Sequence, residues 1–374
     1  MVLTLSQKAA AKRVSRAIAQ AKKAAARPQA QPSEEESAPA SPIPITTQQR
    51  LLDVFERAFN NVLRPDGPDI DALLQEIKAA LFARDFAAAF SDARPELLDA
   101  YAARWSPTRA LAYAGALAGI ESHLDGIIAE GADETPGSLR IVSFGGCAAE
   151  VAALAGYLLY RQDDEATPLS SSITLIDSAP WSDGVSRLHT ELTTPPPLSK
   201  YASASARASN AALVSPDILS STFVKADALT LTRDQLTTHL GLTSSPQPLL
   251  VTLLFTLNEL YTSGGIGKTT ALLLNLSAVL PAGSLLLVID SPGSYSEATV
   301  GKESKRYPMH WLLDHCLLKK GSKAGEDDGE GCRWEKIESD ESVWFRMHES
   351  LRYPIALENM RYQMHLYRAS RPQE

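Results

Sequence analysis

The chain has 374 residues, 44% of them hydrophobic, which is enough for one large or two ordinary domains with a real core. No apolar run approaches the roughly 18 residues of a membrane span, so we expect a soluble protein with no membrane partner. The three cysteines are scattered and the seven histidines form no His-x-x-x-His pair. This spacing indicates a reducing compartment and disfavours a disulfide framework or a metal site.

The formal charge of −8 is unevenly distributed along the chain. Residues 1–32 contain seven basic side chains and no acidic one, so removing them leaves −15 for the remainder. With the Pro-, Ser- and Glu-rich stretch that follows, residues 1–45 are predicted to be a basic, largely disordered arm and linker. Such an arm suits a nucleic-acid contact or nuclear address, a mitochondrial transit peptide, or a solubilising tail.

Residues 46–130 are predicted to form a helical cap subdomain. Apolar residues recur at the three- and four-residue spacing of a buried helix face over residues 51–59 and again over residues 70–82. Asp69 stands where the second of these helices needs an N-cap. The cap is expected to pack over the α/β part that follows it.

The last part of the cap combines a helix signal with aromatic and basic residues. Ser106 followed by Pro107 is typical of an N-cap and first helical residue. Trp105, Arg109 and Tyr113 surround this start and could face a ligand, with surface or core packing as the alternative.

A strand, a turn of small residues, a helix and a second strand are predicted between residues 139 and 177. A nucleoside cofactor must approach the backbone at such a turn, and its ribose hydroxyls need an acceptor at the tip of the second strand. Gly145, Gly146 and Cys147 form the turn, and Asp177 provides the acceptor. Because the Gly-x-Gly-x-x-Gly spacing is absent, we expect S-adenosyl-L-methionine (AdoMet) and not NAD, with an α/β fold that binds no cofactor as the alternative.

Two further candidates follow the second strand. Trp181 comes soon after Asp177 and could cover an adenine, or belong to the core. A third strand is predicted over residues 222–229, where Asp227, next to Ala228, is of the right type to accept from an adenine amino group. A plain surface position is the alternative for this aspartate.

Residues 249–257 form the strongest apolar run and are predicted to be a central, fully buried strand. Ligands of a doubly wound sheet lie at the carboxyl ends of its strands. Thr256, Asn258 and Glu259 are therefore candidates for groups near the transferred atom.

Residues 264–270, Gly-Gly-Ile-Gly-Lys-Thr-Thr, resemble the phosphate loop of the partition-type ATPases. Thr262 stands where the loop needs a glycine, and Ser263 where those ATPases have a lysine. Six residues also separate the motif from its strand, so we expect these glycines to precede a helix over residues 270–280. A P-loop ATPase remains the rival from another functional class.

The rest of the chain predicts a strand over residues 284–290, a helix over residues 308–318 and a helix around residues 353–360. Residues 343–346 and 362–368 are predicted to be a closing antiparallel pair. A helix, a Pro-Gly turn and an apolar strand before residue 290 are typical of the passage from the fourth to the fifth strand of an AdoMet methyltransferase.

Five short motifs lie in sequence between residues 46 and 368. They are Arg-Trp-Ser-Pro at 104–107, Phe-Gly-Gly-Cys-Ala-Ala-Glu at 144–150, Phe-Thr-Leu-Asn-Glu-Leu at 255–260, Asp-Ser-Pro-Gly-Ser-Tyr-Ser at 290–296 and Leu-Glu-Asn-Met-Arg-Tyr at 357–362. Together they resemble a fungal methyltransferase family that includes the large-subunit rRNA uridine-N3 methyltransferase.

This resemblance implies a Rossmann-like class I AdoMet-dependent methyltransferase domain over residues 131–374, with a seven-stranded sheet and helices on both faces. It implies methylation of N3 of a uridine in large-subunit (25S) rRNA. The implied partner is that rRNA or a pre-ribosomal particle, in the nucleus or nucleolus and also in the cytoplasm. The basic arm leaves a mitochondrial location open, and nothing indicates an oligomeric state.

The resemblance also assigns roles to residues. Ser143 stands where related motifs often have a carboxylate, so Glu150 is expected to hold the methionine amino group. The other expected cofactor contacts are Gly145, Gly146, Cys147, Asp177, Trp181, Asp227, Ala228 and Thr256.

N3 of uridine must lose its proton before it can attack a methyl group. Glu259 is the hypothetical general base and Asn258 would orient the uracil edge, or both merely cap the turn after their strand. Phosphate contacts are expected from the arm and from Lys302, Lys305, Arg306 and Arg346. A methyltransferase-like scaffold without activity and a small-molecule methyltransferase remain alternatives.

Overall fold

The computed structural model describes residues 41–130, 137–146, 148–162, 169–244, 246–293, 295–300, 303–318 and 332–370. Contacts divide the chain into Met1–Pro39 and Ala40–Glu374, and only the second unit is described here. The predicted basic arm lies outside the described residues except for residues 41–45, and so does Cys147.

Helices form the N-terminal part of the described chain. They are α1 (Ile45–Ala58), α2 (Asn60–Leu63), α3 (Ile70–Phe82), a π-helical turn (Ala87–Ser91), α4 (Pro95–Gly119) and α5 (Glu121–Glu130). The apolar residues that recur at helical spacing in α1 form one stripe, and this stripe is buried against α4 and its neighbours. Asp69 caps α3 as predicted, since its side chain accepts from the backbone N of Ala72 at 3.2 Å.

The predicted helix start at Ser106 and Pro107 is wrong, because both residues lie inside the 25-residue helix α4. A proline has no N–H to donate to the carbonyl four residues earlier, which normally weakens a helix at that point. Here the Tyr353 hydroxyl donates to that carbonyl, the O of Ala103, at 3.0 Å. Glu358 lies on the same loop as Tyr353 and forms an ion pair with Arg104 of α4 at 2.6 Å. The loop of residues 346–359 therefore contacts the middle of α4.

A seven-stranded sheet forms the centre of the fold, in the order β3-β2-β1-β4-β5-β9-β8. The first five are parallel and β9 runs antiparallel to both of its neighbours. The strands are β1 (Ser138–Phe144), β2 (Ser170–Asp177), β3 (Leu219–Lys225), β4 (Leu250–Leu254), β5 (Leu285–Asp290), β8 (Arg333–Phe345) and β9 (Met360–Ser370). This order, with a reversed strand beside β5, confirms the predicted Rossmann-like methyltransferase fold.

Helices cover both faces of the sheet. They are α6 (Ala149–Gln162), α7 (Ser182–Thr193), α8 (Ala204–Ala208), α9 (Arg233–His239), α10 (Leu257–Val279) and α11 (Met309–Leu317), with a short 3₁₀ turn at Ala228–Thr230. One hydrophobic core joins one face to the N-terminal helices, and a second joins the other face to α9, α10 and α11. Among the described helices, none combines the length and apolar character needed to cross a membrane.

The structure corrects two local predictions, for residues 353–360 and for the closing antiparallel pair. Residues 353–360 are irregular and not helical. The helix expected over residues 270–280 is present as the last part of α10, and a break at Gly265 separates it from the helical segment that begins at Leu257. The antiparallel pair is longer than predicted, because β8 begins at Arg333. A hairpin of β6 (Tyr295–Val300) and β7 (Glu303–Pro308), which the sequence did not predict, follows β5.

Candidate active site

The glycine turn after β1 is held by a backbone contact from β2 and a side-chain contact from Thr256, which follows β4. Gly145 has φ +71°, its N donates to the O of Ile176 at 2.8 Å, and its own O accepts from the Thr256 hydroxyl at 2.9 Å. A Cβ at this position would lie 2.3 Å from Cγ2 of Thr256. The position therefore requires glycine for its backbone angle and for space. Gly146 packs less closely, against Glu150, whose Cδ would lie 3.0 Å from an added Cβ.

A cavity of about 390 Å³ opens at this turn, on the carboxyl edge of the parallel strands. Cofactor and small-molecule sites commonly have volumes of about 300 to 1,000 Å³. The cavity brings together most of the predicted site residues: Gly145, Glu150, Asp177, Trp181, Asp227, Ala228, Thr256 and Glu259. Asn258 and Gly146 are not among the described residues that line it.

The charges in the cavity favour a cationic ligand. Its described lining contains four carboxylates, Glu150, Asp177, Asp227 and Glu259, against the two cations Arg109 and Lys268. Burial raises the pKa values of Glu150, Asp177 and Glu259, and a cation bound among them would stabilise their ionised forms, whereas a triphosphate would disfavour those forms. Within the described ranges, no three His, Cys, Asp or Glu side chains form a group that could hold a metal ion.

Glu150 is the most deeply buried of these acids. Its side chain is 6% exposed, and Oε2 has no hydrogen-bond partner among the described residues. Burial raises the pKa of Glu150 to about 7, and Arg109 opposes this shift. An unpartnered buried carboxylate is costly for the fold, which is the property expected of a group that waits for a cationic ligand.

Asp177 ends β2 beside the glycine turn. Its Oδ1 accepts from the backbone N of Ala179 at 2.7 Å, which fixes the carboxylate at the strand tip. Burial raises the pKa of Asp177 to about 7, despite hydrogen bonds from Ala179 and Ser178. Asp177 also lines the cavity, which is where an acceptor for ribose hydroxyls is expected.

Asp227, Ala228 and Trp181 form the adjoining part of the wall. Asp227 is exposed and accepts from the backbone N of Leu229 at 2.9 Å, which caps the 3₁₀ turn. Trp181 is only 4% exposed and packs 5.9 Å from the ring of Tyr101. Trp181 therefore belongs to the core, as one alternative predicted, and also lines the cavity; its contact with an adenine stays a prediction.

Glu259 lies in the first turn of α10 and reaches the same cavity. Burial raises its pKa to about 8; Arg109 lowers this value, while Asp177 and Asp290 raise it. Asn258 donates its backbone N–H to Oδ2 of Asp290 at 3.0 Å, so Asp290 caps the helix that carries Glu259. The cap fixes the position of this carboxyl group relative to β4 and β5.

Phe255 joins β4 to α10 in a strained conformation. Its φ is +59°, which is uncommon for a residue with a side chain and is often found at functional sites. The guanidinium of Arg109 lies 4.8 Å from the Phe255 ring and donates to the Tyr101 hydroxyl at 2.5 Å. The strained residue thus holds the cation that faces Glu150 and Glu259.

The glycine stretch at residues 264–270 is not a phosphate-binding loop. It spans a break in α10 at Gly265, with φ 70° and ψ 173°, and the glycines precede a helical segment as predicted. Ser263, Gly264 and Lys268 line the cavity from this helix. Their place in the cavity was not predicted, because this stretch signals a phosphate loop or a helix start and carries no signal for a cavity wall. Phe86, Phe90 and Tyr101 also line the cavity, and their apolar spacing gave no signal that separates them from core residues.

A family model of SAM-dependent methyltransferases matches residues 55–368. The chain belongs to this family. As a member it is an AdoMet-dependent enzyme, which confirms the predicted cofactor and activity class. The Saccharomyces cerevisiae protein named 25S rRNA (uridine(2843)-N(3))-methyltransferase is 30% identical over 339 residues, and the match covers 85% of each chain.

Two solved structures are also similar to this methyltransferase. The bifunctional kinase-methyltransferase WbdD has 14% identity and a TM-score of 0.31, over 68% of this chain and 39% of that one. The O-methyltransferase NcsB1 from neocarzinostatin biosynthesis, solved with S-adenosyl-L-homocysteine, has 11% identity and a TM-score of 0.33, over 79% of this chain and 68% of that one. The fold assignment rests on the strand order and not on these superpositions.

The described residues of the methyltransferase fit AdoMet. The unpartnered Oε2 of Glu150 would meet the methionine amino group, and Asp177 would accept from the ribose hydroxyls. Asp227 and Trp181 would lie near the adenine. Cys147 lies outside the described residues, so its predicted contact stays a prediction.

Proposed function

We propose that this methyltransferase transfers a methyl group from AdoMet to N3 of a uridine in large-subunit rRNA. The observation that carries the proposal is the 30% identity, over 85% of the chain, to a yeast enzyme named for that reaction. The acidic cavity with Glu259 at its wall supports it, because N3 attack requires a proton acceptor beside the methyl donor.

When bound, AdoMet supplies a sulfonium-activated methyl group and leaves as S-adenosylhomocysteine. Glu150 in the first turn of α6, Asp177 at the end of β2 and Asp227 just after β3 would hold and orient it, and Thr256 fixes the glycine turn through its hydrogen bond to Gly145. Alignment of this kind contributes up to roughly 7 to 11 kcal/mol to a two-reactant step.

Glu259 is the proposed general base. It would accept the N3 proton of uridine, which leaves the N3 electron pair free to attack the methyl group that bound AdoMet would supply. Its pKa of about 8 makes it a better proton acceptor than an exposed glutamate, provided that it is ionised. Arg109 favours the ionised form, as does any cation bound next to it. The predicted role of Asn258 in orienting the uracil stays a prediction.

The substrate base must leave its stack to reach Glu259, because N3 lies on the pairing edge of uridine. The basic residues 1–32, which carry seven positive charges, would supply sequence-independent contact with RNA phosphates. We place the reaction on large-subunit rRNA or a pre-ribosomal particle in the nucleus or nucleolus, as the arm and the relative together suggest.

The proposal is tested with the purified full chain, labelled AdoMet and large-subunit rRNA from cells that lack the gene. Nucleoside mass spectrometry of the product distinguishes N3-methyluridine from C5-methyluridine and from 2′-O-methyl nucleosides. We expect N3-methyluridine alone. Transfer to another position, or to a small molecule in preference to rRNA, would overturn the proposal.

A further inference from the structure

An exposed tryptophan and two arginines form a cluster at the free edge of the sheet. Trp344 of β8 is 43% exposed, and the guanidinium carbons of Arg346 and Arg361 lie 5.3 and 5.6 Å from the centre of its ring. Trp344 pairs directly across from Arg361 of β9, and Arg346 follows two residues after Trp344. We call these three residues the Trp344 patch.

The two arginines of the Trp344 patch have no carboxylate partner among the described residues. Arg361 uses Nε to donate to the Ser342 hydroxyl at 2.7 Å. Outside residues 1–32 the chain carries a net charge of −15, whereas the patch places two arginines without an ion pair beside an exposed ring. The patch therefore offers an anion a local attraction that the net charge of this part of the chain does not.

The patch lies at the end of the sheet where β5 finishes, and the cavity opens at that same end. Asp290, which caps the helix of Glu259, pairs with Gln363 of β9, and Gln363 donates to the O of Ser291 at 2.7 Å. Arg361 is two residues from Gln363 on the same face of β9, roughly 7 Å beyond the end of β5. Trp344 lies one strand further out, so about 10 Å separate it sideways from β5. The patch therefore lies within the length of a few nucleotides from the end of β5, since nucleotides in a stacked strand are spaced by about 3.4 Å.

We propose that the Trp344 patch binds a single-stranded segment of the substrate RNA a few nucleotides from the target uridine. An unpaired base stacks on the exposed surface formed by the indole and the guanidinium planes beside it, and the N–H groups of Arg346 and Arg361 contact the neighbouring phosphates. Aromatic rings with flanking cations are the common means by which proteins hold single-stranded RNA, because every base offers a π-face. This inference rests on the proposed rRNA substrate.

The experiment compares Trp344→Ala, Trp344→Phe and the double variant Arg346→Ala/Arg361→Ala with the unaltered full chain. Trp311→Ala is the matched control, because Trp311 is 61% exposed on α11 and belongs to neither the cavity nor the patch. For each protein, the kcat and KM of N3-methyluridine formation, the affinity for rRNA at several salt concentrations, the affinity for AdoMet and the unfolding midpoint are measured.

We expect Trp344→Ala to raise KM for rRNA at least about fivefold with kcat unchanged, and Trp344→Phe to restore most of the loss. The double arginine variant should make the plot of log affinity against log salt less steep by about 1.4, or about 0.7 per phosphate contact. AdoMet affinity should not change, and Trp311→Ala should behave as the unaltered chain. A purely structural role would move the unfolding midpoint and leave the salt slope unchanged.

The proposal for the patch is overturned if the unaltered chain methylates rRNA while Trp344→Ala and the double arginine variant keep its KM and salt slope. If the unaltered chain neither binds nor methylates rRNA, the proposed function is wrong, and the proposal that the patch binds rRNA is wrong as well. These two failures are distinguished by the unaltered chain alone.

Discussion

The affinity for AdoMet should increase as pH rises from about 6 to about 7.5. Glu150 and Asp177 have pKa values of about 7, so each is mostly protonated at the lower pH and mostly ionised at the higher one. Only the ionised forms attract the cationic ligand, and an apparent Kd scales inversely with the competent fraction. That fraction grows about eightfold per group over this range, which predicts a fall in Kd of about eightfold if one carboxylate must ionise and about seventyfold if both must.

Isothermal titration calorimetry in two buffers of different ionisation enthalpy measures this effect. At about pH 7, each carboxylate that must ionise should release about half a proton on binding. Asp177→Asn should bind AdoMet about tenfold or more weakly, because it loses charge-assisted hydrogen bonds, and should retain only the part of the pH dependence due to Glu150. Asp183→Asn, which changes an exposed acid outside the cavity, is the control. A Kd independent of pH, or full pH dependence in Asp177→Asn, would refute this reasoning.

Three further substitutions test the structure around the cavity. Gly145→Ala should destabilise the fold by at least about 1 kcal/mol in urea unfolding, because of its positive φ and the contact with Thr256, whereas Gly126→Ala on the open face of α5 should not destabilise it. Glu259→Gln should lower the single-turnover rate about 10²- to 10⁴-fold and leave AdoMet bound; a full rate would exclude it as the base. Tyr353→Phe leaves a buried carbonyl of α4 without a donor and should cost about 1 kcal/mol of unfolding free energy; an unchanged value would show that the bond contributes nothing.

The part of the fold that the sequence predicted best is the part built from local signals. The glycine turn and the strand that ends at Asp177 follow from residue size, apolar runs and alternation, and these properties are readable within about ten residues. Since parallel strands present their carboxyl ends on one edge, Asp177, Asp227 and Glu259 could be expected near one another before any contact was known.

The predictions that failed depend on contacts between distant parts of the chain. Pro107 signals a helix start in isolation, but Tyr353 supplies the missing donor from far along the sequence and lets α4 continue. Lys268 carries no local signal for the site, because its place in the cavity depends on how both segments of α10 pack against the strand ends, where Asp290 caps the first turn. Local propensity carries no information about such partners.

The central claim is most directly tested by mass-spectrometric mapping of large-subunit rRNA from cells in which the gene is deleted. We predict that one N3-methyluridine disappears, returns with the unaltered gene and stays absent with Glu259→Gln. An N3-methyluridine complement that is the same with and without the gene would contradict the account.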